Sequence, residues 1–254
     1  MEQSEFLKVA IEAAKKAEEV IMHYYSDSIR VTLKPDQSPV TVADVESEKV
    51  IIETIRAALP DHGFLGEESG NENVDSEYVW IIDPIDGTKN YTRQVPIFGT
   101  QIALAHRGEL ILGVSNAPAL HELMYAEKGS GAFLGDKQVY VSKTENLSDA
   151  WASSGGLKYY LGIGKEEGVG KLIRQTYRQR IFGDFWQHTL IAQGKFDIAC
   201  EAYVKIWDVA AVTVIVREAG GMVTDLNGKE IDFNTTSFIS TNGLLHNAVV
   251  DLFK

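Results

Sequence analysis

The stretch that most constrains this chain is Asp83-Pro84-Ile85-Asp86-Gly87-Thr88-Lys89-Asn90. It follows Tyr78-Val79-Trp80-Ile81-Ile82, an apolar run rich in aromatic and β-branched residues, which predicts a buried strand. Two carboxylates thus leave the end of a strand, with Pro84 between them. Proline has a fixed φ and no N–H to give a ladder. Gly87 allows a close backbone approach, and Thr88 sets a hydroxyl beside free backbone N–H groups. Such turns attract anions, above all where a helix begins. Carboxylates beside phosphate-ready N–H groups point to a hard divalent metal holding a phosphoryl group. The alternative is an Asx-type turn whose acids only cap a helix.

The chain has 254 residues, enough for one compact α/β unit with two lobes. The polar run from Val139 to Asn146 is the expected lobe boundary. It divides an N-terminal lobe with the metal-site loops (1–142) from a C-terminal α/β lobe (143–254). With 36 acidic against 24 basic residues the formal net charge is -12, which argues against a nucleic-acid partner. Cys200 is the one cysteine, so no intramolecular disulfide can form, as suits a reducing compartment. Charged residues interrupt the N-terminal segment, unlike a signal peptide. No run approaches the ~20 apolar residues of a membrane span. A cytoplasmic protein with no membrane partner is expected.

Phe6, Val9, Ala10, Ala13, Ala14, Ala17, Val20, Ile21 and Tyr24 recur at helical spacing and predict an amphipathic helix. A short strand over Ile29 to Leu33 and a polar turn over Lys34 to Pro39 come next. Val40 to Asp44 leads into a second helix. Asp44 is either a helix-start charge or a carboxylate that orients a hydroxyl or a water. Phe64-Leu65-Gly66-Glu67-Glu68 reads as another strand end delivering acids; a solvated Glu pair is the alternative. Asn71 to Glu77 reads as a polar loop. Gly99 to Leu134 predicts an antiparallel meander.

Beyond the boundary, Ala150 to Ser154 reads as a strand and the glycine-bearing stretch Lys158 to Gly170 as a surface loop. Gly183-Asp184-Phe185-Trp186 opens a helix, with Asp184 as a possible N-cap. Phe196 to Cys200 is a strand ending at Glu201. Ile206 to Ala219 is a helix so apolar that it must be buried, so Asp208 in its first turn needs an N-cap bond, a metal or a water.

No Cys-x-x-Cys, His-Glu-x-x-His, P-loop or Gly-x-Ser-x-Gly pattern is present. What remains is oxygen ligation by Glu67, Asp83, Asp86 and Asp208, which suits Mg²⁺ better than Zn²⁺.

Gly66-Glu67-Glu68-Ser69, then Trp80 to Asn90, then Trp207-Asp208-Val209-Ala210-Ala211 with Glu218-Ala219-Gly220-Gly221, resemble the inositol monophosphatase family in order and spacing. The resemblance implies a layered αβαβα sandwich shared with fructose bisphosphatases. It implies Mg²⁺-dependent hydrolysis of a small phosphomonoester, with two or three ions, by a homodimer. Carried over, Glu67, Asp83, Asp86 and Asp208 with the Ile85 carbonyl would be metal ligands. Thr88 with Asp44 would orient and deprotonate the attacking water, with Glu67 also in the catalytic set. The N–H groups of Gly87 and Thr88 would hold phosphate, and Lys89 and Asp208 would also bind substrate.

Several segments resemble the histidinol-phosphate phosphatase branch of actinobacterial type. They are Lys34-Pro35-Asp36 with Pro39-Val40-Thr41, Ala117-Pro118-Ala119-Leu120, Gly183-Asp184-Phe185-Trp186, Asp197 to Glu201, and Thr241 to His246. Asp184 beside Glu201 would give two acids to receive an ammonium group, whereas a neutral polyol needs only hydroxyl-bonding groups. Lys205-Ile206 departs from the His- or Pro-containing forms before the Trp-Asp pair. Inositol monophosphatase or a broad sugar phosphatase is the alternative enzyme. A non-catalytic regulatory protein of the same fold is the alternative class, and the intact acidic set argues against it.

Overall fold

The computed structural model describes residues 3–25, 31–34 and 39–254. Part of the predicted first strand and most of the turn after Lys34, including Pro35-Asp36, lie outside the described residues. In chain order the first elements are α1 (Glu5–Tyr25), β1 (Val31–Leu33), β2 (Pro39–Thr41), α2 (Val42–Ala58), β3 (Gly63–Gly66), β4 (Gly70–Glu72), β5 (Tyr78–Asp86) and α3 (Thr88–Tyr91). Then come β6 (Gly99–His106), β7 (Glu109–Ala117), β8 (Glu122–Glu127), β9 (Gly131–Leu134) and β10 (Lys137–Val139). The rest are β11 (Trp151–Ser154), α4 (Leu157–Gly162), α5 (Glu166–Gln175), β12 (Arg178–Arg180), α6 (Asp184–Ala192), β13 (Ile198–Ala202), α7 (Ile206–Glu218), β14 (Met222–Thr224), β15 (Ser237–Thr241) and α8 (His246–Leu252).

Two mixed sheets and three helical layers alternate, giving the expected αβαβα sandwich. The larger sheet has eight strands in the order β10-β9-β8-β7-β6-β5-β3-β4, and the smaller has five in the order β12-β11-β13-β15-β14. Helices α1 and α2 cover one face of the larger sheet. Helices α6 and α7 fill the space between the sheets. Helices α4, α5 and α8 cover the far side of the smaller sheet.

Strand β5 explains its own apolar run. Trp80 and Ile82 pack toward α1 and α2, whereas Ile81 packs toward α7. A strand covered on both faces reads as continuous hydrophobicity. The meander from β6 through β10 pairs antiparallel throughout, as its hairpin signals predict. Helix α7 is buried from Val209 to Val216. It lies so close to β7 that a Cβ on Gly113 would stand 2.3 Å from the Ala211 carbonyl oxygen.

Two local expectations are corrected. The Lys158 to Gly170 stretch is not a loop but most of α4 and the first half of α5. Its Gly168 lies inside α5 because a side chain there would meet the Phe253 ring at 2.4 Å, so packing overrides helix propensity. Within the predicted loop from Asn71 to Glu77, Asn71 and Glu72 belong to β4, paired with β3 at the edge of the larger sheet.

Gly113→Ala is expected to destabilise the protein by about 1–3 kcal/mol, since the backbone of α7 has to move away from the sheet. Urea unfolding of the two forms measures this; an unchanged midpoint would show that α7 is not held against β7.

Candidate active site

The cleft begins with a parallel pair. Strands β3 and β5 run side by side in parallel, with Gly66 opposite Ile82. Their carboxyl ends therefore lie together, and the Glu67 N–H donates to the Ile82 carbonyl at 3.1 Å. This sets Glu67 beside Asp83. Behind the turn, the buried Glu48 carboxylate of α2 accepts from the N–H groups of Glu68 (3.0 Å) and Ser69 (2.6 Å). Only glycine fits in front of it, because a Cβ on Gly66 would stand 2.6 Å from Glu48 Oε1.

Asp83 and Asp86 are three residues apart and would face opposite ways in a regular strand. The β5–β6 register corrects this. Asp83 pairs with Gln101 and Asp86 with Gly99, so β5 carries one extra residue there. This is a β-bulge, and it is where a strand can take Pro84 without a missing ladder bond. The Thr100 hydroxyl holds the Pro84 carbonyl at 2.9 Å. Both aspartates consequently line one cavity of about 420 Å³. Gly87 follows with φ of 87° and opens α3, whose first N–H groups have no preceding helical carbonyl to bond.

Asp44 makes contacts at the helix start and toward the Thr88 hydroxyl. Its Oδ2 accepts from the N–H and hydroxyl of Thr41 at 2.7 and 2.6 Å, closing a capping box at the start of α2. Its Oδ1 stands 3.3 Å from the Thr88 hydroxyl, which also lies 2.9 Å from the Ile85 carbonyl oxygen. Burial pushes the Asp44 carboxyl up to about 6, against the hydrogen bonds from Thr41. Asp208 enters from the first turn of α7, and its Oδ2 accepts from the Lys205 N–H at 2.7 Å.

The acids disfavour one another's charge. Burial first, then the charges of Glu67, Asp86, Asp208 and Asp44, hold the Asp83 carboxyl well above the usual carboxylate range. Asp86 is held up in the same way by burial and by Asp184, Asp208 and Glu201. Asp208 is pushed up to about 8 by burial, with Glu67, Glu201 and Asp184 adding to it. Asp83 Oδ1 is buried with no hydrogen-bond partner. Lys34 meets part of this charge, donating to Glu67 Oε1 at 2.8 Å and Glu68 Oε1 at 2.6 Å.

A second acidic pair forms the other wall. Asp184 is the first residue of α6, and Gly183, not Asp184, stands at the cap position. The Asp184 N–H donates to Glu201 Oε1 at 3.3 Å, while Asp184 Oδ2 accepts from the Asn90 side chain at 3.0 Å. Burial and then Glu201 push the Asp184 carboxyl up to about 7. The Phe185 N–H donates to Asp86 Oδ2 at 2.7 Å, tying the start of α6 to the bulge. The Gln187 amide donates to Glu201 Oε2 at 2.7 Å. Lys89 reaches the same side, with Nζ 3.4 Å from the Tyr159 hydroxyl.

The cavity thus gathers Glu67, Asp83, Ile85, Asp86, Gly87, Thr88, Lys89, Asp184, Glu201 and Asp208. Asp44 joins them through Thr88. The sequence reading missed Glu48, and it missed the buried His188, whose Nδ1 lies 2.8 Å from Ser240 Oγ and whose Nε2 lies 3.6 Å from Glu201. A buried acid on α2 and a histidine on an apolar helix face were the available signals.

A model of the inositol monophosphatase family matches residues 2–254. The chain belongs to the inositol monophosphatase family. It is 37% identical over 250 residues to a histidinol-phosphatase of Mycobacterium tuberculosis, covering 96% of each chain. It is 39% identical over 212 residues to a fructose-1,6-bisphosphatase/inositol-1-monophosphatase of Thermotoga maritima, covering 83% of this chain and 80% of that one. A solved Thermotoga maritima IMPase superposes with a TM-score of 0.90 at 34% identity, covering 98% of this chain and 97% of that one. This family member is a phosphatase.

Inositol monophosphatase family enzymes are metal-dependent, typically on Mg²⁺. Among the described residues no three His, Cys, Asp or Glu side chains close into a ready-made metal cage. The donor chemistry nonetheless fits a hard cation, because the donors are all oxygens and Asp83 Oδ1 is buried without a partner.

Without metal, burial holds Asp44, Glu68, Asp184 and Asp208 up at about 6, 7, 7 and 8, against the ordinary 3.8 for Asp and 4.5 for Glu. Raised acids stabilise the fold fully below the unfolded value, and this contribution is lost as pH rises through the folded value. The Tm in EDTA should therefore fall between about pH 5 and pH 8.5, and Mg²⁺ should raise Tm more at about pH 8 than at about pH 6. Differential scanning calorimetry checks both; a Tm in EDTA that climbs over this range would contradict the charge crowding.

Proposed function

We propose that this phosphatase hydrolyses histidinol phosphate with the help of two or three Mg²⁺ ions. The observation that carries the choice of substrate is the contact between Asp184 and Glu201 at the wall of the cleft. Glu201 disfavours the Asp184 charge there, and Lys89 and Asn90 offset only part of that effect. The ammonium group of histidinol phosphate would stand between two carboxyls and relieve that crowding. Inositol 1-phosphate brings only hydroxyls to the same wall.

Glu67, Asp83, Asp86, Asp208 and the Ile85 carbonyl would hold the metal. Bound Mg²⁺ supplies a lowered water pKa and neutralises charge on the phosphoryl and departing oxygens. Thr88 accepts a hydrogen bond from the attacking water and passes a proton toward Asp44 Oδ1. Thr41 holds the other Asp44 oxygen, so the acceptor cannot turn away. The N–H groups of Gly87 and Thr88 would hold the phosphoryl oxygens, and Lys89 would bind the substrate beside them.

Steady-state kinetics with Mg²⁺ on histidinol phosphate, inositol 1-phosphate, fructose bisphosphate and adenosine bisphosphate tests the proposal. The highest kcat/KM is expected for histidinol phosphate. A higher value for inositol 1-phosphate would assign the chain as an inositol monophosphatase or a broad sugar phosphatase. Asp184→Asn should lower kcat/KM for histidinol phosphate by about ten- to a hundredfold more than for inositol 1-phosphate, the worth of one charge-assisted hydrogen bond. Equal losses on both esters would make Asp184 a structural residue.

A further inference from the structure

The cleft is also lined by two tyrosines that the chemistry above does not use. Tyr159 of α4 and Tyr203, just past β13, both line the cavity. Their rings lie nearly parallel, with centroids 5.1 Å apart and planes 18° from each other. They are 38% and 59% exposed. Both rings already attract cations. Lys89 Nζ lies 6.0 Å from the Tyr159 centroid, and Lys205 Nζ lies 5.9 Å from the Tyr203 centroid.

The backbone goes to some trouble to place them. Tyr203 has φ of 67°, the left-handed region that a bulky side chain strongly disfavours. Hydrogen bonds from the N–H groups of Tyr203 and Val204 to the Thr236 carbonyl, at 2.9 and 3.0 Å, hold it there. Among the described non-glycine residues with positive φ, Asp184 and Tyr203 are the two that line this cavity. Tyr159 is placed by Gly156, where a Cβ would stand 2.6 Å from its ring. Gly155 beside it leaves room for the Glu201 carboxyl, which a Cβ would meet at 2.6 Å. The Gly155-Gly156 pair thus seats one acid and one aromatic of the same wall. Backbone strain kept at a cleft wall, on an exposed aromatic, marks a site that gains something from the ring.

We infer that Tyr159 and Tyr203, exposed in the wall of the same cavity, form a leaving-group subsite for a flat, cation-capable ring beside the ammonium held by Asp184 and Glu201. This inference rests on the proposed substrate and deepens it. An imidazole ring offers a face to stack on tyrosine, and its protonated form adds attraction to the ring quadrupole. A polyol ring offers neither.

The test uses the full-length enzyme with Mg²⁺ and two pairs of compounds. Histidinol phosphate is compared with 2-aminopropyl phosphate, which keeps the ammonium and lacks the ring, and histidinol is compared with 2-aminopropanol in calorimetric binding. Tyr203→Ala should cut kcat/KM for histidinol phosphate by roughly three- to tenfold more than for the ring-less ester, the range expected for one stacking contact. Histidinol affinity should fall by a similar factor relative to 2-aminopropanol. Tyr203→Phe should keep the ring preference, and Tyr203→Gly should lose it while melting no lower than the parent, since glycine accepts the positive φ. Equal losses on ring-bearing and ring-less compounds, or no loss, would overturn the subsite. If histidinol phosphate is not hydrolysed but histidinol binds in a Tyr203-dependent way, the proposed reaction fails and the subsite stands. If it is hydrolysed with no ring preference, the reaction stands and the subsite fails.

Discussion

Mutual repulsion among carboxylates governs this molecule. Glu67 from the end of β3, Asp83 and Asp86 from β5, and Asp208 from α7 are driven into one cleft, and each makes ionisation harder for a neighbour. Such a gathering opposes folding unless the frame around it is strong. The frame is the αβαβα stack, with α7 buried between two sheets and its first turn aimed at the carboxyl ends of β3 and β5. The apolar core thereby offsets the electrostatic cost of the site. Lys34 already answers part of that demand at Glu67 and Glu68.

The parts of this arrangement visible in the sequence were those with a period or a punctuating residue. Helix α1 announced itself by apolar spacing, β5 by an unbroken apolar run, and the end of α7 by Gly220-Gly221. Convergence of the four acids was suggested by their position at strand ends and helix starts. What could not be read was anything set by a distant neighbour. The bulge at Pro84 depends on the register against β6, and nothing in the octapeptide says that Asp83 and Asp86 will share a face. Gly168 looked like a loop residue because the Phe253 ring that demands it lies far along the chain. Glu48 was silent because its partners are backbone N–H groups, which carry no sequence signal.

Several glycines here serve side chains. Gly66 leaves space for Glu48, Gly155 for Glu201, and Gly113 for the backbone of α7. Each permits a close approach that any Cβ would block, and two of the three bring a carboxylate into position. The site is therefore shaped as much by missing atoms as by the acids themselves.

One pair of hydrogen bonds links the two walls of the cleft. Asn90 holds Asp184 across 94 positions of sequence, and the Phe185 N–H holds Asp86 across 99. The first uses side chains and disappears when either residue changes. The second uses a backbone donor and survives any replacement at 185 except proline. Helix α6 can therefore exchange the side chains it offers a substrate while its mooring to β5 stays in place. A scaffold tethered in this way can drift from one phosphate ester to another in small steps, with the hydrolytic machinery inherited intact at each of them.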